Sequence, residues 1–578
     1  MALLALTRDD AVQSDGHIYY KADSAGEFTE MTESSAARPA NLQGNRVRPV
    51  MLRYRGRVYM FGFFSTPAMV TETRKVNIMG IPAPPAAPTL SLDTSSGGSV
   101  GLAIGYLTFT EEDAGKIIQE SNPSEPSDTI SLNGEGRVWS ALPTSSINPR
   151  VTHINGYVSM DGSLPAFAWK RQIGVSSVEE NVLTGSLGER LPLFEGPDNQ
   201  FDVDPYARSV PPNGRYAEVY HDSMWISGDF DFPTRIYFSR LFEPESFNTV
   251  VKERGWLETS DGETVTGLKR WGDLLFVGCL RAMYVVQGFS AGDYQIVKVQ
   301  NYYGCISNAS MQLVGPDSDL WVAGQEGVWM YNGSFHDLME EDVRGEWRDG
   351  YRAEQINFED CFAAEDRFSR TYQLVIPQDD DTTFKWVGHW APLSKGGMSP
   401  WWVNDIRARK DNAIGSLIIT DDDHYGELLT GSCDGFIRKE NVQDDPDDDG
   451  DAYQKAISLQ TKHFLFGDQG GDDAHGRNYP ALDIFLKNES TSVTLSALAG
   501  DDSAQDSPSP QWTRTIPAGA VSSPRAKVSR TSLSFNGLTE INGKGITLLF
   551  SAVAPVNVRL RGFQIYHSQG EQERLFST

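Results

Sequence analysis

The stretch TVTGLKRWGDLLFVGCLRAMYVVQG (residues 264–288), followed by SMQLVGPDSDLWVAGQEGVWMYNGS (310–334), decides the fold. Each holds apolar runs of strand length separated by turn residues, Trp271-Gly272-Asp273 in one and Pro316-Asp317-Ser318-Asp319 in the other. Such runs bounded by Gly, Pro, Asp and Ser are hairpins. The same arrangement occurs upstream in RVRPVMLRYRGRVYMFGFF (46–64) and GRYAEVYHDSMWISGDF (214–230), and downstream in FAAEDRFSRTYQLVIP (362–377) and SLIITDDDHYGELLTGSCDGFIRKE (416–440). With Met224, Leu274, Leu320, Tyr372 and Leu428 marking the second strand of each, the spacings are 50, 46, 52 and 56 residues. A period near 50 with about four strands per unit predicts the blades of a β-propeller. One blade cannot bury both faces of its sheet, so neighbouring blades supply the missing apolar partner.

The period breaks between the first hairpin and residue 197. IPAPPAAPT (81–89) holds four prolines, which stop a strand and mark a linker. Beyond it Leu102, Ile104 and Tyr106 alternate with small residues, an acidic turn and an extended tail follow, and strand-like RVTHINGYVSM (150–160) and AFAWKRQIGV (166–175) come next. Residues 82–196 are therefore expected to form a β-sandwich inserted into the propeller, whose blades occupy 1–81 and 197–440. DDPDDDGDA lies in an acidic linker, 441–452, and alternating segments such as LDIFLKN (482–488) and GITLLFSA (545–552) predict a C-terminal β-sandwich over 453–578. The sole hint of helical period lies at 335–347. The expected class is all-β.

The 578 residues carry 50 Lys and Arg against 78 Asp and Glu, a formal net charge of −28, with 39% hydrophobic residues. That much apolar material excludes wholesale disorder, and so acidic a chain does not grip nucleic acid through its overall charge. No secretory apolar region opens the sequence, and the longest apolar stretch, 545–556, is too short for a spanning helix. Cys279, Cys305, Cys361 and Cys433 form no CxxC pair, which indicates neither a zinc site nor a disulfide framework.

Several phrases of the blades carry a resemblance. Pro211 and Pro212 open the second hairpin, Tyr237-Phe238-Ser239 forms a strand before Pro244, Gly304-Cys305 a turn, and the strand from Gly327 ends in Tyr331-Asn332-Gly333. Over roughly residues 40–440 this succession resembles the β-propeller of bacteriophage tail nozzle and hub proteins, the tail tubular or head-to-tail stabilisation proteins. The stretch EEDAGKIIQESNPSEPS (111–127) looks like the fibronectin-like domain inserted in such proteins, although Tyr157-Val158-Ser159 departs from the usual tyrosine-arginine strand pair. The resemblance implies a virion structural protein made in the bacterial host cytoplasm. It would form a homo-hexameric ring below the head-to-tail connector, contact adaptor proteins and tail fibres, and let double-stranded DNA pass without specific binding. Walls rich in Asp and Glu would keep that DNA mobile.

Candidate chemistry is sparse. Asp445, Asp447, Asp449 and Gly450 match the start of a calcium loop, but its twelfth position is Ala456 instead of the bidentate Glu, and a solvated acidic linker is the simpler reading. DQGGDDAH (468–475) offers more oxygen and imidazole, and its glycines more simply mark a loop. No HExxH, GxSxG, Walker-type or GxGxxG motif occurs, and the repeated Ser-x-Asp-x-Gly box of sialidase-type propellers is missing. Cys305 has no basic neighbour in sequence and reads as a small buried residue. Trp386, Trp390, Trp401 and Trp402 read as core or interface anchors; with an acidic pair they would form the sugar platform of a carbohydrate-binding or carbohydrate-cleaving propeller, the alternative function. No catalytic, cofactor-binding or metal-binding residue is expected, nor a membrane-spanning segment.

Overall fold

A computed structural model describes residues 49–377 with breaks, the longest at 349–360, and beyond these mainly the strands within 3–31, 383–439 and 457–569. The chain divides into two compact units, Met1–Asn441 and Val442–Thr578.

The first unit is a β-propeller. Val50–Tyr54, Arg57–Phe61, Ala68–Val70 and Val76–Ile78 pair in sequence order as one antiparallel blade. After the insert, a second blade runs Tyr216–Tyr220, Ser223–Ser227, Arg235–Arg240 and Glu243–Phe247, with Trp256–Glu258 also on its third strand. The third starts at Val265–Trp271, the fourth at Gln312–Val314, the fifth at Phe362–Asp366, each four-stranded; a three-stranded sheet follows from Ala413–Thr420. Met224, Leu274, Leu320, Tyr372 and Leu428 all stand on the second strand of their sheet. The first strand of blade two touches those of blades one and three, and that of blade five touches those on either side, so these strands are the inner ones. Apolar cores fill each gap: Tyr59, Phe61 and Met224 between blades one and two, Trp225, Phe238 and Leu275 between two and three, Phe276 and Trp329 between three and four, Trp321 and Tyr372 between four and five.

A repeated polar contact registers the blades. The aromatic residue that ends the inner strand donates to a backbone carbonyl in the first turn of the next blade: Tyr54 Oη to Asp222 at 3.0 Å, Tyr220 Oη to Asp273 at 2.9 Å, Trp271 Nε1 to Ser318 at 3.1 Å. A net hydrogen bond is worth about 0.5–1.5 kcal/mol, and Tyr220→Phe should lower stability by that amount with the ring packing retained. Urea unfolding of the two proteins measures it; equal midpoints would remove the contact from the account.

The insert is one antiparallel ladder of six strands, ordered Ala166–Gln172, His153–Met160, Thr89–Asp113, Ile130–Ser140 and Val178–Glu180, with Lys116–Glu120 on the end of the long strand. The two layers of the sandwich are thus halves of a continuous ladder. It breaks register between Asn133 and Gly136, opposite Gly97 and Asp93, where bulges bend a sheet. Trp139 from one half meets Trp169 from the other edge to face, with centroids 5.4 Å apart. Glycines make room for both: a Cβ on Gly105 would lie 2.6 Å from Trp139, and one on Gly156 would lie 2.2 Å from Trp169. The extended tail SNPSEPS docks by a three-residue period. Ser121, Ser124 and Ser127 accept from the N–H groups of Phe109, Leu107 and Gly105, and return their own N–H groups to the carbonyls of those residues.

Among the described residues the second unit has two antiparallel sheets. One orders Ile457–Gln460, Gly545–Ala552, Val493–Gly500 and Trp512–Ile516; the other centres on Arg477–Asn488, flanked by Ser529–Ser534 and Val558–Gln569. The helical hint at 335–347 is corrected in its first part. Phe335–Asp337 pairs with Trp329–Tyr331 as the outer strand of blade four, and a ladder bond claims these residues before a helix can; helix is confined to 343–345 and 347–348 among the described residues there.

Candidate functional site: an ion-paired neck

Four charged residues distant in sequence meet where the insert leaves the propeller. Arg57 comes from blade one, Glu111 and Arg150 from the insert, and Glu245 from blade two. Glu245 accepts from Arg57 at 2.9 Å and from both terminal nitrogens of Arg150 at 2.5 and 3.1 Å; Glu111 accepts from Arg57 at 2.7 Å and Arg150 at 2.9 Å. The Glu245 side chain is 2% exposed and that of Arg150 is 5% exposed. Two positive and two negative groups make the cluster neutral, which is the condition under which buried charge is tolerated.

The cluster also fixes the chain's path. Gly80 donates its N–H to Glu245 at 2.8 Å and accepts from Asn148 Nδ2 at 2.7 Å, so both sides of the residue that enters the insert are held. Its φ is +82°, and a Cβ there would sit 2.6 Å from Pro211, the residue after which the propeller resumes. Entry and exit therefore touch. A second polar group secures the other side: Glu120, buried, accepts from Thr108, Tyr157 and Asn155 of the insert and pairs with Arg208, while Asn122 Oδ1 accepts the Arg208 N–H at 2.6 Å and Gln119 donates to Ser246 at 2.9 Å. Both chain segments that cross between propeller and insert are thus tied by hydrogen bonds and ion pairs to both bodies.

Burial opposes the charge of Glu245, but Arg150, Arg57 and the Gly80 N–H outweigh it and hold the carboxyl below its ordinary value of 4.5. Burial lowers and Glu245 with Glu111 raises the guanidinium of Arg57, the net effect being upward. A carboxyl depressed in the folded state stabilises fully above its unfolded value, and that stabilisation is lost as pH falls through the folded one. Urea midpoints should hence fall as pH drops below 4.5, and Glu245→Gln should flatten that slope. An unchanged slope in the variant would assign acid lability elsewhere.

The residues singled out in sequence fare differently. Trp401, partly buried, packs against Trp321 and Tyr372 at the edge of the core and gives its indole N–H to the Leu338 carbonyl at 2.8 Å, the contacts of a core anchor. The side chains of Trp386, Trp390 and Trp402, the acidic run from Asp445 to Gly450 with Ala456, residues 468–475 and Cys433 lie outside the described residues. Cys305 is fully buried; burial pushes its thiol up to about 12, and it donates to the Ser307 carbonyl. Pro211 closes the neck, Tyr237 and Phe238 pack into the interblade cores, and Gly304 accepts the indole N–H of Trp329 at 2.8 Å. Among the described residues no group of three or more side chains gathers as metal ligands, and no helix is long and apolar enough to cross a membrane.

No family model matches the chain, and no curated protein does. Solved structures with distant likeness include the BBS1 N-terminal domain in complex with ARL6, at 9% identity and a TM-score of 0.22, covering 60% of this chain and 94% of that one. Hsv2 of Kluyveromyces lactis is 10% identical with a TM-score of 0.22, over 68% of this chain and 91% of its own. PorZ of the Porphyromonas gingivalis type-IX secretion system is 9% identical with a TM-score of 0.22, over 96% and 90%.

Proposed function

We propose that this protein is a structural subunit of a short-tailed phage particle, a tail nozzle or hub that assembles as a ring below the head-to-tail connector and conducts DNA at ejection. The resemblance of the blades supplies the setting. The observation that carries the reading is the neck: its buried charges pair with one another and fix an inserted domain to a propeller, as a rigid structural part requires. The formal charge of −28 suits a conduit whose walls leave phosphate mobile. Connector proteins and tail fibres are the expected partners.

Electron microscopy of the purified protein mixed with its connector tests this. Rings with a central channel, stacked on the connector, are the expected result; separate connector and monomer at every ratio would overturn it. Release of reducing ends from host surface polysaccharide would instead favour the carbohydrate-active alternative.

A further inference from the structure

Six Asn-Gly pairs occur in the sequence, beginning at Asn133, Asn155, Asn213, Asn332, Asn536 and Asn542. In such a pair the amide nitrogen of the second residue can attack the side-chain carbonyl of the first, and glycine, with no Cβ, hinders that approach least. The fold treats the pairs differently. Asn133-Gly134 lies within the strand Ile130–Ser140, Asn155-Gly156 within the buried strand His153–Met160, and Asn542-Gly543 pairs with Arg477 and Asn478, so a ladder constrains each backbone. Gly214 gives its N–H to the Pro212 carbonyl at 2.8 Å, which occupies the attacking nitrogen. Asn536-Gly537 lies outside the described residues.

Asn332-Gly333 is free of both constraints. With Ser334 it forms the exposed turn that joins Gly327–Tyr331 to Phe335–Asp337, the outer hairpin of blade four. Gly333 has a φ of +112°, a Cβ on it would meet nothing within 4 Å, and its N–H has no partner among the described residues. The His336 ring reaches back over the turn. Its Nε2 stands 3.1 Å from Asn332 Oδ1 and 2.7 Å from Ser334 Oγ. An amide oxygen only accepts, so the ring nitrogen facing it carries the proton. The carboxamide thus has an unengaged nucleophile next in the chain and a proton donor on its oxygen.

We infer that Asn332 is a modification site, converted in the native protein to aspartate and isoaspartate through a cyclic imide, with His336 as the donor to the reacting oxygen. Gly333 N loses its proton and forms a bond to Asn332 Cγ, and the negative charge that develops on Oδ1 lies against His336 Nε2–H. The Cγ–Nδ2 bond then breaks and ammonia leaves with the proton. Water adds to either carbonyl of the imide, which opens to aspartate or isoaspartate. The product sets a carboxylate beside the imidazole that stands near Asp319, and in the isoaspartate form the turn's main chain is one carbon longer. The edge of blade four therefore gains negative charge with time and without an enzyme. The inference is independent of the ring-subunit reading.

Peptide mapping by mass spectrometry of the native protein held at neutral pH, with aspartate and isoaspartate resolved, tests it. Asn332 should convert about tenfold faster than Asn133, Asn155, Asn213 or Asn542, and His336→Ala should slow it about tenfold, less than a positioned acid usually contributes because the turn is open to water. His336 is exposed, so this variant keeps the blade core. In urea, with the turn unfolded, wild type and variant should convert at one rate, which separates the placement of the ring from local sequence. Four results would each overturn the inference: Asn332 intact in the native protein while the unfolded chain converts, conversion no faster than at the other pairs, a native variant matching wild type, or a slowing that persists in urea.

Discussion

Glu245→Ala should cost about 3–5 kcal/mol, the typical price of leaving buried charges without their partner. Arg57 and Arg150 would face each other with only Glu111 between them, and the Gly80 N–H would lose its acceptor. Denaturant unfolding measures the loss, and limited proteolysis at 81–89 and 191–210 should show the neck opening. The control is replacement of the whole group by apolar residues of similar volume, Arg57→Met, Glu111→Leu, Arg150→Met and Glu245→Leu, which should recover most of the stability. A small effect of Glu245→Ala would mean that water reaches the cluster and that the neck is not what fixes the insert.

Trp139→Ala should cost about 3–5 kcal/mol for the insert, since a fully buried indole leaves a cavity that a surrounding sheet fills only in part. Trp139 is 0% exposed, touches Trp169 and lies over Gly105. The propeller cores are built from other residues, so the loss should appear as early unfolding of residues 89–180 in hydrogen exchange, with the blade strands protected longer. Simultaneous exchange of insert and blades would show that the neck couples them into a single cooperative unit.

The blades were legible because a hairpin leaves its mark locally: apolar alternation and turn residues recur at 50, 46, 52 and 56 residues, and each marker falls on a second strand. Two further local signals were present. An aromatic directly before the first turn, in Tyr54-Arg55-Gly56, Tyr220-His221-Asp222 and Trp271-Gly272-Asp273, marks the contact between blades, and Ser121, Ser124 and Ser127 mark the docked tail by their period of three. The neck could not be read. Arg57, Glu111, Arg150 and Glu245 stand in four separate segments of a chain where 22% of residues are charged, and each alone is indistinguishable from a solvated surface residue. Only the fold, by returning the chain from Pro211 to Gly80, brings them together. Trp401 and Trp402 posed the converse problem: adjacent aromatics suit a platform or a core equally, and strand alternation sends Trp401 inward.

In the role proposed above, a propeller with a fixed side domain serves as a ring-forming part of a tail. Imaging of the intact particle with this chain labelled tests it most directly. Label is expected in a ring around the axis immediately below the connector, enclosing the path of the DNA. Label on peripheral fibres, or none in the particle, would contradict it.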